Sequence, residues 1–358
     1  NEKEIHDAIT YLLESCDVVV TSGGLGPTED DITKEVISNS LSLDLELDES
    51  HVEWMKERWK SRGLIMPETN IKQAYIPVGS EKLINTQGTA PGIRISKNDK
   101  KIFIFPGPPR EFIPLVEDEL LPYLSENFEK NDTDYKFIIF FNQAESSLAA
   151  EIDKFKPEGL DIAYLASRGI IKLRFDRNSV SKSDFDIFID KIDEIFSDDI
   201  LAYENISVEK ALGSLLAKND IKVSFVESIT GGLLSSLLVK NPGISKYFIG
   251  SDIVYGNQAK SILLNDNDID FENWEELCVN LTHSSLEKYK TDICLTILGE
   301  AGPLSSSQYS VGTIFICISN GDKTVITDHK MNGNREEILQ RSANKAQWEL
   351  IKFIKNLY

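Results

Sequence analysis

Apolar positions open the chain on a helical period. Ile5, Ala8, Ile9, Leu12 and Leu13 fall on one face between Glu4 and Ser15, and this predicts an amphipathic helix over 4–15. A β-branched run at 18–20 predicts a buried parallel strand behind it. Helices follow over 32–41 and 48–62, the second with Val52, Met55 and Trp59 on one stripe. The segment PETNIKQA (67–74) leads into an extended piece, GTAPGIRI (88–95) into a turn and strand, and 101–106 into a second strand. Phe105-Pro-Gly-Pro-Pro-Arg-Glu-Phe ends that strand in a turn and starts a helix with proline in its first turn. Residues 126–134 are polar and read as a linker. A small α+β unit is predicted next: strand 135–141, helix 145–155, strands 161–165 and 170–175, and helix 183–196.

The last stretch repeats the opening pattern. Val208, Leu212, Leu215 and Leu216 form a helical stripe with Ser207 as its N-cap, then comes a strand over 222–226, a glycine turn, and an apolar helix over 233–239. Asn334 with Glu337 three residues later predicts a capping box. The closing helix it opens carries Ile338, Leu339, Ala343, Ala346, Leu350, Phe353, Ile354 and Leu357 on its packing stripe.

Composition narrows the class. A chain of 358 residues exceeds one compact core and implies two or three domains. Its 41% hydrophobic and 27% charged residues are ordinary for a soluble globular protein. No apolar run approaches membrane-spanning length and no charged-then-apolar leader is visible, so a cytoplasmic, non-membrane protein is expected. Cys16, Cys278, Cys294 and Cys317 lie far apart without paired spacing, which suggests reduced, structural thiols. The formal net charge of −20 repels phosphate backbones and disfavours direct nucleic-acid binding; small phosphorylated ligands stay open to a local pocket.

Candidate chemistry sits on the two strand–glycine–helix segments. In the first, Ser22-Gly23-Gly24-Leu25-Gly26-Pro27-Thr28 precedes Asp30 and Asp31 and then a helix. Glycines let backbone approach a ligand, and a helix N-terminus offers N–H groups to an anion. Two carboxylates beside a phosphate-seeking loop suggest a divalent metal shared with the phosphate. A glycine-rich turn with an acidic helix start is the plainer reading. The second segment, ESITGG (227–232), presents Ser228 where a nucleophile would stand, with nearby N–H groups available as an oxyanion hole. Tyr255, Asn257 and Lys260 follow a short strand, and a neutral lysine near that serine can act as its base. A turn or cap serine is the plainer reading here. In the middle unit, Glu145 and Arg168 are best read as a helix-start acid and a solvated loop arginine.

GGLGPT followed by Asp-Asp, PETNIKQA, GTAPG and the PGPP turn together resemble the molybdopterin-binding-type domain of the competence/damage-inducible protein A (CinA) family. ESSLA and IAYLASRGIIKLRF resemble its KH-like insert, and ESITGG, YGNQAK, LGEAGP and VGT its nicotinamide-nucleotide amidase domain. The resemblance implies three α/β parts: a three-layer molybdopterin-binding-type domain over 1–128, a small α+β KH-like domain over 134–203, and an α/β amidase-like domain over 206–358. It implies metal-dependent cleavage of ADP-ribose to AMP and ribose 5-phosphate in the first. Gly23, Gly24, Gly26, Thr28 and Gly107 would bind nucleotide, and Asp31, with Asp30 second, would hold metal or orient water. In the last domain it implies deamidation of nicotinamide mononucleotide by a Ser228–Lys260 dyad, with Tyr255 and Asn257 lining the pocket and Arg335 contacting phosphate or substrate. Pyridine-nucleotide recycling and a homodimer are the corresponding expectations.

This sequence departs from the family at several points. The family carries an initial strand and a Gly-Thr-Glu loop ahead of the first helix; either these residues are left out of the sequence or the pocket lacks that wall. Ile229 replaces the usual cysteine, Leu298 a pocket hydroxyl, and Ser310 a proline, and a Gly-Ala-Val-Ser element between Leu264 and Asp292 is not recognisable. Two other readings therefore stay open: a molybdopterin-binding or adenylyl-transferring protein, and a non-enzymatic interaction protein with degenerate sites.

Overall fold

A computed structural model describes every residue except 130–132, 142, 168, 267, 306 and 358, so Arg168 lies outside the described residues. The chain divides into two compact units, Asn1–Asn131 and Asp132–Tyr358.

In the first unit, helix Glu2–Ser15 leads into β1 (Val18–Ser22). Helix Thr33–Ser40 follows, then β2 (Leu45–Leu47) and helix Glu49–Lys60, whose N-terminus is closed by the Asp48 carboxylate accepting from His51 N–H at 3.0 Å. A 3₁₀ turn, Glu68–Ala74, precedes β3 (Tyr75–Pro77), β4 (Glu81–Leu83), β5 (Gly92–Lys97) and β6 (Lys100–Phe105). The main sheet runs β1-β6-β5-β4, while β2 and β3 form a separate ribbon. In this sheet, among the described residues, only β1 and β6 pair in parallel, so the expected parallel sheet is a mixed one. Alternation along the strands divides the core into two faces. Val19, Ile93, Ile95, Ile102 and Ile104 pack with Ile9 and Ile37 from the two early helices; Phe103 and Phe105 pack the other way against Leu115 and Leu120. Each such fully buried side chain contributes about 1.5–3 kcal/mol.

β1 is not buried on both faces as predicted. Val19 is sealed by the early helices, but Val20 points to the opposite face and is 40% exposed, beyond the reach of the helices that half-cover Val18. The predicted linker also starts late. Helix Pro109–Leu115 continues through a wider turn, Val116–Leu120, into Leu121–Asn127.

The second unit opens with β7 (Tyr135–Phe141), helix Glu145–Ile152, β8 (Ile162–Ser167), β9 (Ile170–Asp176), helix Lys182–Phe196 and β10 (Ile200–Ala202). Its sheet runs β10-β7-β9-β8 with every pairing antiparallel. β10, three residues long, gives too short a pattern to read in the sequence. One face of this sheet buries Phe140, Leu173 and Phe175 against Leu148, Phe188 and Ile192. The other face, through Ile139 and Phe141, joins the core of the domain that follows, where the Phe141 ring stacks on Trp348 at 5.0 Å.

That domain carries a five-stranded sheet in the order β12-β11-β13-β14-β15, formed by β11 (Val223–Glu227), β12 (Phe248–Ile253), β13 (Ile293–Gly299), β14 (Thr313–Ser319) and β15 (Thr324–Lys330). The first three strands of that order are parallel and the last two antiparallel. Helices Val208–Asn219, Leu233–Leu238 and Arg335–Lys355 cover one face, and Trp274–Tyr289 the other. The predicted capping box is present: Glu337 N–H donates to Asn334 Oδ1 at 3.0 Å, and Asn334 N–H to Glu337 Oε2 at 2.8 Å. Ser207 holds the N-cap position of its helix without a side-chain bond. Cys278, Cys294 and Cys317 are buried free thiols and Cys16 a half-buried one. No helix among the described residues is long and apolar enough to cross a membrane.

Candidate functional site

Because β1 and β6 are parallel neighbours, their carboxyl ends bring two loops side by side. Backbone meets backbone there: a Cβ on Gly107 would lie 3.3 Å from the Cα of Gly23. At Gly24, φ is +71° and a Cβ would fall 2.0 Å from Thr33 Oγ1, so only glycine fits. The two loops wall a cleft of about 620 Å³ lined by Gly23, Gly24, Gly26, Asp31 and Gly107; Thr28 and Asp30 stand outside its lining.

The amides do not all fan towards a ligand as expected. Gly23 N–H donates to Phe105 O at 2.9 Å, continuing the strand ladder, and Gly26 N–H donates to the Asp31 carboxylate. Of the three, Gly24 N–H alone has no protein partner among the described residues. Thr28 braces the acids: its N–H meets Asp31 Oδ2 at 3.1 Å, and its hydroxyl lies 2.5 Å from oxygens of both Asp30 and Asp31, serving one at a time. Burial alone would raise the Asp31 pKa, but hydrogen bonds from Thr28 and Gly26 and the charge of Lys72 outweigh it and hold it below the usual value. Behind the loop, Lys72 Nζ donates to Thr28 O at 2.8 Å and Asp31 O at 2.6 Å, and buried Lys34 donates to Lys72 O at 2.8 Å. Burial lowers Lys34 to about 8, with Lys72 adding to the effect against Glu35.

Three arginines that the sequence reading passed over, Arg58, Arg62 and Arg110, line the same cleft with Trp59 and Glu111. The i, i+4 spacing of Arg58 and Arg62 was the available signal. No group of three His, Cys, Asp or Glu able to hold a metal occurs among the described residues. Asp30 is turned to Thr28 rather than to the cleft, which corrects the expected carboxylate pair. With Asp31 and Glu111 as its carboxylates, the cleft fits a divalent ion that rides on ligand phosphates, in the manner of Mg²⁺, and not an ion caged by protein alone.

The second pocket, about 310 Å³, brings together Ser228, Tyr255, Asn257, Lys260 and Arg335 from three separated segments. Ser228 follows β11, Tyr255 follows β12, Asn257 and Lys260 sit on helix Asn257–Leu264, and Arg335 begins the closing helix. Ser228 and Lys260 are 7% and 8% exposed. Burial lowers the Lys260 pKa. Lys260 Nζ donates to Asn257 Oδ1 at 3.3 Å, and no hydrogen bond joins it to Ser228, so the expected dyad shares a pocket without direct pairing. Arg335 donates to Tyr255 Oη at 2.7 Å and to Gly302 O at 2.5 Å, which anchors its guanidinium in the wall. Ile229 and Leu298 line the pocket as apolar surface.

The expected oxyanion hole is largely pre-empted. The fully buried Glu227 carboxylate accepts from Gly232 N–H (3.0 Å), Leu234 N–H (3.0 Å), Ser235 N–H (2.9 Å) and Thr230 Oγ1 (2.7 Å). A side chain of the protein thus fills the anion position at this helix start. Glu272 and Glu300, also passed over, belong to the polar lining.

Two family descriptions match the chain: a probable molybdopterin binding domain over residues 1–126 and a CinA C-terminal domain over 205–354. A CinA-like protein of Syntrophomonas wolfei is 32% identical, over 99% of this chain and 89% of its own length. A putative competence-damage inducible protein of Clostridium beijerinckii is 31% identical, over 94% and 85%. With relatives of this identity aligned along nearly its whole length, the chain belongs to the CinA family.

Proposed function

We propose that the chain is a nucleotide hydrolase with two sites, the first cleaving ADP-ribose to AMP and ribose 5-phosphate and the second deamidating nicotinamide mononucleotide. The observation that carries the first half is the gathering of Gly24 N–H, Arg58, Arg62 and Arg110 around one cleft with Asp31. Its volume of about 620 Å³ falls within the usual range of ligand pockets. Guanidinium groups and the glycine amide bind and neutralise a diphosphate, and Asp31 faces it. Asp31 would hold a divalent ion, which would supply further neutralisation of phosphate charge when bound. In the second pocket, Lys260 with its lowered pKa takes the proton of Ser228 as the serine oxygen adds to the amide carbon; the carbon–nitrogen bond then breaks, ammonia leaves with that proton, and water releases the carboxylate from Ser228 while Arg335 holds the phosphate.

A second reading of the last domain, a binding pocket without catalysis, draws support from the missing Ser228–Lys260 bond and from Glu227 occupying the loop amides. For the first unit, the family description of residues 1–126 keeps molybdopterin binding as the alternative. Turnover of ADP-ribose and of nicotinamide mononucleotide, each measured with and without added divalent metal, separates these readings. Asp31→Ala is expected to abolish only the first activity and Ser228→Ala only the second. Loss of both from either substitution refutes the division into two sites, and no turnover of either substrate leaves the binding readings standing.

A further inference from the structure

We propose that Glu111 is the general base of the first cleft, the group that takes the proton from the attacking water; this rests on the diphosphate-cleaving reading above. Asp31 is poorly placed for that task. Its Oδ2 already accepts the N–H of Thr28 and shares the Thr28 hydroxyl with Asp30, and the carboxylate lies so close over Gly26 that a Cβ there would sit 2.2 Å from Oδ2. Glu111 is the other carboxylate on the cleft wall.

Its setting is built. Glu111 is 8% exposed, and its Oε2 accepts from Asn85 Nδ2 at 2.8 Å. Asn85 is itself fixed: its Oδ1 accepts from Gln87 N–H and Gly88 N–H, both at 3.0 Å, so its amide nitrogen must face Glu111 and Ala90 O. Gly88 leaves the room this needs, since a Cβ there would lie 1.8 Å from Glu111 Oε2. Glu111 Oε1 takes no donor among the described residues and is not sealed from solvent. One oxygen is therefore anchored and the other open, in a cleft whose Arg110 is the adjacent residue in sequence. A base so held can be aimed without losing its acceptor.

In the step, the water oxygen bonds to one phosphorus of the diphosphate while its proton passes to Glu111 Oε1. The bond from that phosphorus to the bridging oxygen breaks, and the bridging oxygen leaves on the other phosphate with the electron pair. Glu111 then returns its proton to solvent. Two phosphomonoesters result from one diphosphate and one water.

Glu111→Gln keeps the shape and can still accept from Asn85. The expected result is a fall of about 10²–10⁴-fold in kcat for ADP-ribose, with KM and thermal midpoint little changed. Glu111→Asp, which keeps the carboxylate one methylene short, should retain an intermediate kcat, and it reports independently should the glutamine variant fold poorly. A kcat within about tenfold of wild type, a raised KM with kcat preserved, or recovery on adding more divalent metal overturns the assignment. A wild-type protein that does not turn over ADP-ribose overturns the underlying reading and this assignment with it, whereas an active wild type with an active glutamine variant overturns this assignment alone.

Discussion

Replacing Glu227 by glutamine tests whether the turn before Ser228 is held by a buried negative charge. Every group around that carboxylate is a donor: Oε2 faces Gly232 N–H, Leu234 N–H and the Thr230 hydroxyl, and Oε1 faces the N–H and hydroxyl of Ser235. A glutamine NH₂ must therefore confront donors whichever way it turns. In the cheaper orientation it replaces Oε1; the hydroxyl can rotate, but Ser235 N–H loses its acceptor at about 1–3 kcal/mol. The two amide bonds left on the carbonyl oxygen lose charge assistance, about 1 kcal/mol each, and the helix start loses its anion at about 0.3–1 kcal/mol. The total is about 3–6 kcal/mol. For a unit of this size that corresponds to a fall in Tm of about 6–24 °C. Calorimetry of the full chain, with near-ultraviolet circular dichroism reporting on Trp274 and Trp348, measures it. A Tm shift under about 2 °C would refute the reasoning, because it would mean that the amides at this helix start find other acceptors at no cost.

Three further outcomes are expected. Lys34 has a folded pKa of about 8 against an ordinary 10.5, so between those values the unfolded chain binds more protons and stability should rise with pH by about 3 kcal/mol; Lys34→Met should flatten that rise in urea unfolding followed across pH 7–11. Because burial lowers the Lys260 pKa, its neutral fraction grows as pH increases, and nicotinamide mononucleotide turnover should climb along an alkaline limb with a midpoint below 10.5; Lys260→Arg should remove the activity, and a limb unchanged by this substitution would count against the lysine. Gly24→Ala should destabilise the first unit by about 2–4 kcal/mol through the left-handed backbone and the collision with Thr33, and should weaken ADP-ribose binding; titration calorimetry and urea unfolding read the two effects separately.

Periodicity located most helices and strands, because burial on one face leaves a repeating mark in the letters. It gave nothing for the three-residue strands β2, β4 and β10, for β13 to β15 or for helix Trp274–Tyr289, and it failed at residues 126–127, where polar letters continue a helix already under way. Side-chain chemistry was legible where a motif compresses it into a few neighbouring positions: Ser228, Tyr255, Asn257, Lys260 and Arg335 do line one pocket. What a motif hides is the competition for its hydrogen bonds. Nothing in GGLGPT tells that Gly23 N–H belongs to the strand ladder, nor in ESITGG that the leading glutamate turns back to take the amides. The arginines of the first cleft went unread because they come from two helices and a turn, Arg58 and Arg110 on the helices and Arg62 just past the first, that only folding brings near the glycines.

The stack of Phe141 on Trp348 has a bearing on how this molecule can be taken apart. One aromatic ring comes from the strand that starts the second unit and the other from the helix that ends it, with Ile139, Leu201 and Leu350 in the same oily seam. Severing the chain near residue 204 would leave each fragment with a greasy flank open to water and to other copies of itself. The two pieces should aggregate apart and recover when mixed, a complementation that independent modules would have no reason to show.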